Sequence, residues 1–236
     1  MAIIDFHSHI LPGVDDGSGS LETSLAMLRM EAEQGIGHVI ATPHFYPQQD
    51  SPERFLQRRE QAMARLQEMM TPGENLPKVT LGAEVYFYRG MSESDQLSRL
   101  TIEGKNCILI EMPLPPWTED MYQELEAIWV RRGILPIVAH VDRYIRPFRT
   151  YGIPKRLAEL PVLVQANAEF FLNKHTSGMA LRMLKQDKIH LLGSDCHNLS
   201  TRRPDLGDAL QLIRSKLGEA ALQRIETYQR DVMDEQ

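Results

Sequence analysis

The sequence predicts an α/β barrel of seven parallel strands in a single domain spanning residues 1–236, and three observations lead there. Apolar runs of strand length alternate with segments of helical periodicity, the pattern of a parallel sheet with right-handed crossovers. Seven such runs fall within about 195 residues, enough for a sheet that closes or nearly closes on itself. The polar residues able to do chemistry stand at the ends of those runs, where barrels of this kind carry their sites. An open doubly wound sheet is the competing architecture.

The first strand, Ile3 to His7, runs into His7-Ser8-His9 and then a carboxylate pair, Asp15-Asp16. Residues two apart on a strand share a face, so His7 and His9 can grip one cation, with Asp15 reaching back from the loop. A helix from Leu21 to Gln34 follows, with Leu21, Leu25, Leu28 and Ala32 at helical spacing, and Gly35 closes it. The second strand, His38 to Thr42, delivers His44. A polar helix after Pro52 carries Phe55, Met63, Leu66 and Met70 inward and stops at Pro72-Gly73. The third strand, Val79 to Val85, contains Glu84; the fourth, Ile108 to Met112, contains Glu111. After a proline-rich loop, a helix with Met121, Leu125, Ile128 and Trp129 ends at Gly133, and the fifth strand, Leu135 to Ala139, delivers His140. Strand six is Val162 to Ala166. A helix over 178–186 leads to strand seven, Ile189 to Gly193, which ends in Ser194-Asp195-Cys196-His197, and helices over 205–217 and 219–230 finish the pattern.

Composition narrows the function classes. With 42% hydrophobic residues in 236, the chain can bury one substantial core. A net charge of -6 is a poor match to a nucleic-acid backbone, so no nucleic acid is expected as partner. The sequence has neither a signal-peptide pattern nor an apolar run of membrane-spanning length, so a cytoplasmic protein without membrane insertion is expected. Two cysteines, Cys107 and Cys196, are too few for a disulfide framework and point to reduced thiols.

Nine residues therefore stand as candidate metal ligands: His7, His9, Asp15, His44, Glu84, Glu111, His140, Asp195 and His197. His38, His175 and His190 lie at element starts and read as solvated or satisfied histidines. Imidazole and carboxylate without thiolate suit manganese above all, with iron or zinc as other choices, and nine ligands exceed what one six-coordinate ion takes. Two or three divalent ions follow. Three such ions would set six positive charges against four carboxylates, leaving a site that attracts a phosphate dianion, and hydrolysis of a phosphate ester by a metal-bound hydroxide is the natural reaction.

The motifs HSHILPGVDDG, TPH, GAE, IEMP, AHVDRY and SDCHN, in this order and at strand ends, resemble the polymerase-and-histidinol-phosphatase superfamily, and most closely its CpsB/CapC-type bacterial tyrosine phosphatases. The resemblance implies a distorted seven-stranded, TIM-like barrel with a trinuclear site held by the nine residues above, and phosphate-contacting arginines at Arg143 and Arg202. It also implies a tyrosine-phosphorylated partner, a bacterial tyrosine kinase with a tyrosine-rich tail that controls capsule or exopolysaccharide assembly. The oligomeric state is left open.

The arginines also stand on their chemistry, since a guanidinium grips phosphate oxygens in pairs; Arg203 competes with Arg202 for this place. Phe45, Tyr46, Tyr86 to Tyr88, Trp117 and Tyr144 offer a wall for a phosphotyrosine ring, or pack on one another. Tyrosinate leaves with less need of a general acid than an alkoxide does, so no acid is nominated. Ser8, Thr42 and Ser194 read as structural hydroxyls, and strand six receives no role. Cys196 and Arg202 mimic the C-x5-R loop of cysteine-dependent phosphatases, but residues 197–201 contain no glycine to wrap a phosphate. The other readings are a phosphoesterase acting on histidinol phosphate, a sugar or nucleotide phosphate or a DNA end, and a non-catalytic regulator, which should have lost ligands.

Overall fold

A computed structural model describes residues 3–71, 73–146 and 148–234. Pro72, expected to stop the second helix, lies outside the described residues. In chain order the elements are β1 (Ile3–Ser8), α1 (Leu21–Glu33), β2 (Ile36–Ala41), β3 (His44–Phe45), α2 (Pro52–Met69), β4 (Lys78–Leu81), β5 (Glu84–Tyr86), β6 (Cys107–Glu111), α3 (Glu119–Arg132), β7 (Leu135–Val138), α4 (Ile153–Leu157), β8 (Leu163–Asn167), α5 (Ala168–Leu172), α6 (Ser177–Lys185), β9 (Leu191–Gly193), α7 (Leu206–Leu217) and α8 (Glu219–Asp234). The fold is mixed α/β with a curled, wholly parallel sheet.

Seven continuous strands were expected, but among the described residues nine lie in two sheets, ordered β1-β2-β4 and β3-β5-β6-β7-β8-β9. The third expected strand is broken at Gly82-Ala83, and beyond the second, past Thr42-Pro43, a separate short strand β3 follows. Pro43 has no N–H for the ladder. A Cβ on Gly82 would come within 3.3 Å of both Ile40 and Thr42, so this backbone runs close against its neighbour. Single hydrogen bonds carry the ladder across the gaps, from Thr42 N to Ser8 O, Gly82 N to Ala41 O and Glu84 N to Pro43 O. On the far side, His9 N donates to Cys196 O and Asp195 N to His7 O, so the segment after β9 lies along the end of β1.

Alternation divides the core. Ile4, Phe6, Ile40, Leu109, Ile137 and Leu191 form a smaller cluster on one face of the sheet. Val39, Ala41, Ile108, Ile110, Val138 and Leu192 join the larger one, which includes the apolar faces of the helices. Val232 of α8 packs on the smaller cluster. From the same helix, the Gln229 amide acts as a neighbouring strand for Ile4, accepting from its N–H at 3.2 Å and donating to its carbonyl at 2.9 Å.

The helices are set by local signals. Ser20 caps α1 by accepting from Thr23 N, Ser51 caps α2 ahead of Pro52, and Gly133 ends α3 at φ +63. The short helices α4 and α5 were not expected, because five residues are too few to show a 3.6-residue repeat. No helix among the described residues is long and apolar enough to cross a membrane.

Asp205, which begins α7, has a buried Oδ1 without a hydrogen-bond partner, and burial lifts its pKa to about 7. A carboxyl held above its unfolded-state pKa contributes its full stability only below that unfolded value and loses it as pH rises through the folded one. Asp205→Asn is therefore expected to be more stable than the wild type at pH 8, by roughly 1 to 2 kcal/mol after allowance for partial exposure. The gap should close toward pH 4. Urea unfolding at the two pH values measures it.

Candidate metal centre

The strand ends converge on Glu84 at the start of β5. Its carboxylate is fully buried and meets four imidazoles: Oε1 lies 2.6 Å from His140 Nε2, and Oε2 lies 3.1 Å from His7 Nε2, 3.3 Å from His9 Nε2 and 3.0 Å from His44 Nδ1. Asp195 Oδ1 lies 3.5 Å from His7 Nε2 and 3.4 Å from His9 Nε2, and these two nitrogens are 3.0 Å apart. Glu111 Oε1 is 3.7 Å from His140 Nε2, and Glu111 Oε2 is 3.9 Å from His44 Nδ1. On the outer side, Asp16 Oδ1 stands 3.5 Å from His44 Nε2 and 3.6 Å from His197 Nε2.

These residues fit divalent cations. Metal bonds of about 2.1 Å set neighbouring ligand atoms roughly 3.0 Å apart at octahedral and 3.4 Å at tetrahedral angles. Donor atoms within reach of one another form overlapping groups: His7, His9 and Asp195; His44, Glu84 and Glu111; and His9, Asp16, His44 and His197. His44 Nδ1, Glu84 Oε2, Glu111 Oε2, His140 Nδ1 and His197 Nε2 are buried without a hydrogen-bond partner. Leaving so many polar atoms unsatisfied costs too much unless another group completes them.

Protons balance the charges in this arrangement. Burial pushes the His9 imidazole down, but hydrogen bonds to Asp15, Asp195 and Glu84 outweigh it and hold its pKa well above the usual value. Burial pushes Glu84 up, and His7 and His140 outweigh that, keeping it well below the usual carboxylate range. Cation binding has to release such protons. His140 and Asp195 both hold positive φ, 31° and 52°, a conformation that non-glycine residues keep only where the surroundings enforce it.

Asp15 stands elsewhere than expected, and Asp16 has the place read for it. Asp15 Oδ2 takes a 2.6 Å hydrogen bond with His9 Nδ1 and accepts from His44 N, while Oδ1 accepts from Gly17 N. Both its oxygens are thus engaged in orienting His9 and the loop. The side chains of the other eight candidate residues lie together round Glu84. Arg202, not Arg203, bonds to the cluster: its Nη2 donates to Asp195 Oδ1 at 2.6 Å, whereas Arg203 Nη2 donates to Asp208 Oδ2. Arg143 Nη2 donates to Asp195 Oδ2 at 2.7 Å, so the two guanidiniums clasp one carboxylate.

The aromatic wall is smaller than the sequence offered. Phe45, Phe87, Trp117 and Tyr144 are buried, whereas Tyr46 lies stacked near His44 and 5.7 Å from Tyr86, both tyrosines partly exposed. Ser8 and Ser194 donate to Ile40 O and Asp5 Oδ2, and Thr42 accepts from Ser8 N, so these hydroxyls are structural. Cys196 is fully buried, and burial followed by the nearby Glu31 and Asp5 pushes its thiol well above the usual range, which removes it as a nucleophile.

Capsular polysaccharide synthesis, CpsB/CapC, is the family that matches residues 3–232. The chain belongs to the CpsB/CapC family. It is 31% identical over 227 residues to the tyrosine-protein phosphatase YwqE of Bacillus subtilis, covering 92% of this chain and 85% of that protein. It is 29% identical over 231 residues to the tyrosine-protein phosphatase CpsB of Streptococcus pneumoniae, covering 92% and 91%. A solved structure from work on YwqE and CpsB, described as unique metal-dependent tyrosine phosphatases, superposes with a TM-score of 0.82 at 26% identity and covers 99% of this chain and 96% of that one.

In this CpsB/CapC chain, strand six supplies what sequence reasoning missed. Gln165 Oε1 accepts from His140 N at 2.6 Å and lies 3.3 Å from His7 Nδ1; Gln165 Nε2 donates to Asn167, whose amide donates to Asp195 Oδ2. One side chain thus orients both histidines and, through Asn167, the aspartate. Such supporting bonds are worth about 10- to 100-fold in metal affinity or activity. Gln165→Ala is expected to weaken metal binding by that factor, read by titration with the metal, while Gln165→Glu keeps the acceptor and loses less.

Proposed function

We propose that the chain is a metal-dependent protein tyrosine phosphatase of one domain, residues 1–236, acting in the cytoplasm on a tyrosine-phosphorylated protein of the capsule or exopolysaccharide machinery. A tyrosine kinase with a tyrosine-rich tail is the partner we favour. The reading rests on one observation: eight ligand-bearing side chains from β1 through the segment after β9 meet round Glu84, in a chain whose named relatives are tyrosine phosphatases. We read the two sheets as one distorted seven-stranded barrel, in view of the hydrogen bonds joining residues 7–9 to 195–196.

His7, His9, Glu84 and Asp195 would hold one divalent ion, Glu84, Glu111 and His140 a second, and Asp16, His44 and His197 a third; manganese suits this set, with iron or zinc as other choices. Bound there, such ions would supply Lewis acidity toward phosphoryl oxygens and lower the pKa of a water toward neutrality. The remaining work falls to the protein. Arg143 and Arg202, each about one-third exposed, hold the phosphoryl oxygens and offset charge as the tyrosinate leaves. Their shared contact with Asp195 fixes both guanidiniums before substrate arrives. Tyr46 and Tyr86 flank the phenyl ring, and burial of the cluster under these side chains excludes bulk water.

The test is hydrolysis of a phosphotyrosyl peptide by the purified protein, with metal content measured on the same sample. Chelation should abolish turnover, and added manganese should restore it. Turnover that survives complete removal of metal overturns the reading.

A further inference from the structure

A cleft of about 700 Å³ begins at the cluster, where Asp16 and His44 line it together with Tyr46, and extends to Asp50, Arg54 and Arg58. Arg54 and Arg58 are one helical turn apart on α2, and Asp50 is one turn before them. Arg54 Nε donates to Asp50 Oδ1 at 2.9 Å, and Arg58 Nη1 donates to Asp50 Oδ2. One carboxylate therefore faces two guanidiniums, and one positive charge is left over. Each guanidinium carries five N–H donors, of which Asp50 takes one, and Arg54 gives a second, from Nη2, to Gln49 O at 3.4 Å.

Beyond their pairs with Asp50, the two arginines do not serve the helix. Arg54 lies in the first turn of α2, where the helix dipole disfavours a cation, and like charges four residues apart repel. The arginines remain 69% and 46% exposed, whereas Asp50 is only 12% exposed, so what the cleft presents is the positive partner of each pair. A local charge arrangement unfavourable to its own element, next to a reaction centre, is characteristic of a group kept for binding.

We propose that Arg54 and Arg58 bind an aspartate or glutamate side chain that flanks the phosphotyrosine, so that the protein selects peptide segments that are acidic beside the phosphorylated residue. This rests on the phosphatase reading above. The cleft is continuous with the cluster, so a chain whose phosphotyrosine lies at the metals passes the arginines within its own length. Guanidinium recognises carboxylate in a paired geometry, and the remaining N–H donors of both arginines provide it.

The experiment compares phosphotyrosyl peptides that are identical except for one glutamate or glutamine, walked position by position on either side of the phosphotyrosine. In the wild type the glutamate form should be favoured about three- to tenfold in kcat/KM at one or two positions, carried by KM. The Arg54→Gln, Arg58→Gln double variant should bring that ratio to about one. Asp50→Asn, which frees both guanidiniums, should enlarge it, and 0.5 M salt should shrink it in the wild type. Because each readout is a ratio within one protein sample, partial damage to folding does not imitate the effect. A wild-type ratio of one at every position, or an undiminished ratio in the double variant, overturns the inference alone. Failure to hydrolyse either peptide overturns the phosphatase reading and this inference with it.

Discussion

Glu84→Gln is expected to lower phosphotyrosyl-peptide turnover by at least about a thousandfold, roughly 4 kcal/mol of transition-state stabilisation, and to empty much of the metal site. The substitution keeps size and shape but exchanges a carboxylate for an amide whose nitrogen donates where a cation requires an acceptor. Glu84 is placed to be shared, since its two oxygens reach His7, His9, His44 and His140 at 2.6–3.3 Å. No other carboxylate of the cluster meets that many imidazoles so closely. Ligand binding to the native state raises its stability by mass action, so the melting temperature of the wild type should rise with added manganese while that of the variant moves much less. Metal analysis, calorimetry and kinetics on one preparation measure all three effects. A variant with full metal content and ordinary turnover would remove Glu84 from the centre of the mechanism.

Gly193→Ala should be nearly as damaging although it touches no charge. A Cβ at this position would lie 2.5 Å from the Cβ of His7 and 2.9 Å from both His7 N and Gln165 Nε2. Two of these atoms belong to the base of His7 rather than to the far end of a flexible chain, so the end of β1 itself must move. Overpacking of this kind costs about 3 kcal/mol, which for a chain of this size is a fall of roughly 10 °C in Tm. The displaced groups are a candidate ligand and the amide that orients it, so activity should drop by about a hundredfold or more even where the variant is folded. Thermal unfolding and turnover under saturating metal test it; a wild-type Tm would show that the strands separate more easily than their packing implies.

Much of the site was legible because parallel α/β proteins place polar residues at strand ends, and His7, Glu84, His140 and Asp195 carry that signature individually. What stayed hidden was set by the path of the backbone. Asp15 and Asp16 are chemically identical neighbours, and only the course of the loop, pinned by Asp15 to Gly17 N and His44 N, decides which reaches the histidines. Arg202 and Arg203 pose the same problem. Gln165 has no metal-ligating chemistry, so spacing says nothing about it, and its role emerges only when β8 is seen between β7 and β9. The break at Gly82 was marked by a residue that interrupts ladders, but a single glycine inside a long apolar run is also tolerated as a bulge.

The pairing of Gln229 with Ile4 spans 225 positions and has a kinetic consequence. On the ribosome β1 emerges long before α8, whose Gln229 amide satisfies the edge at Ile4. Between the two, the nascent chain exposes an unfinished edge on β1. Folding governed by such distant contacts is slow, which gives a chaperone time to shield that edge.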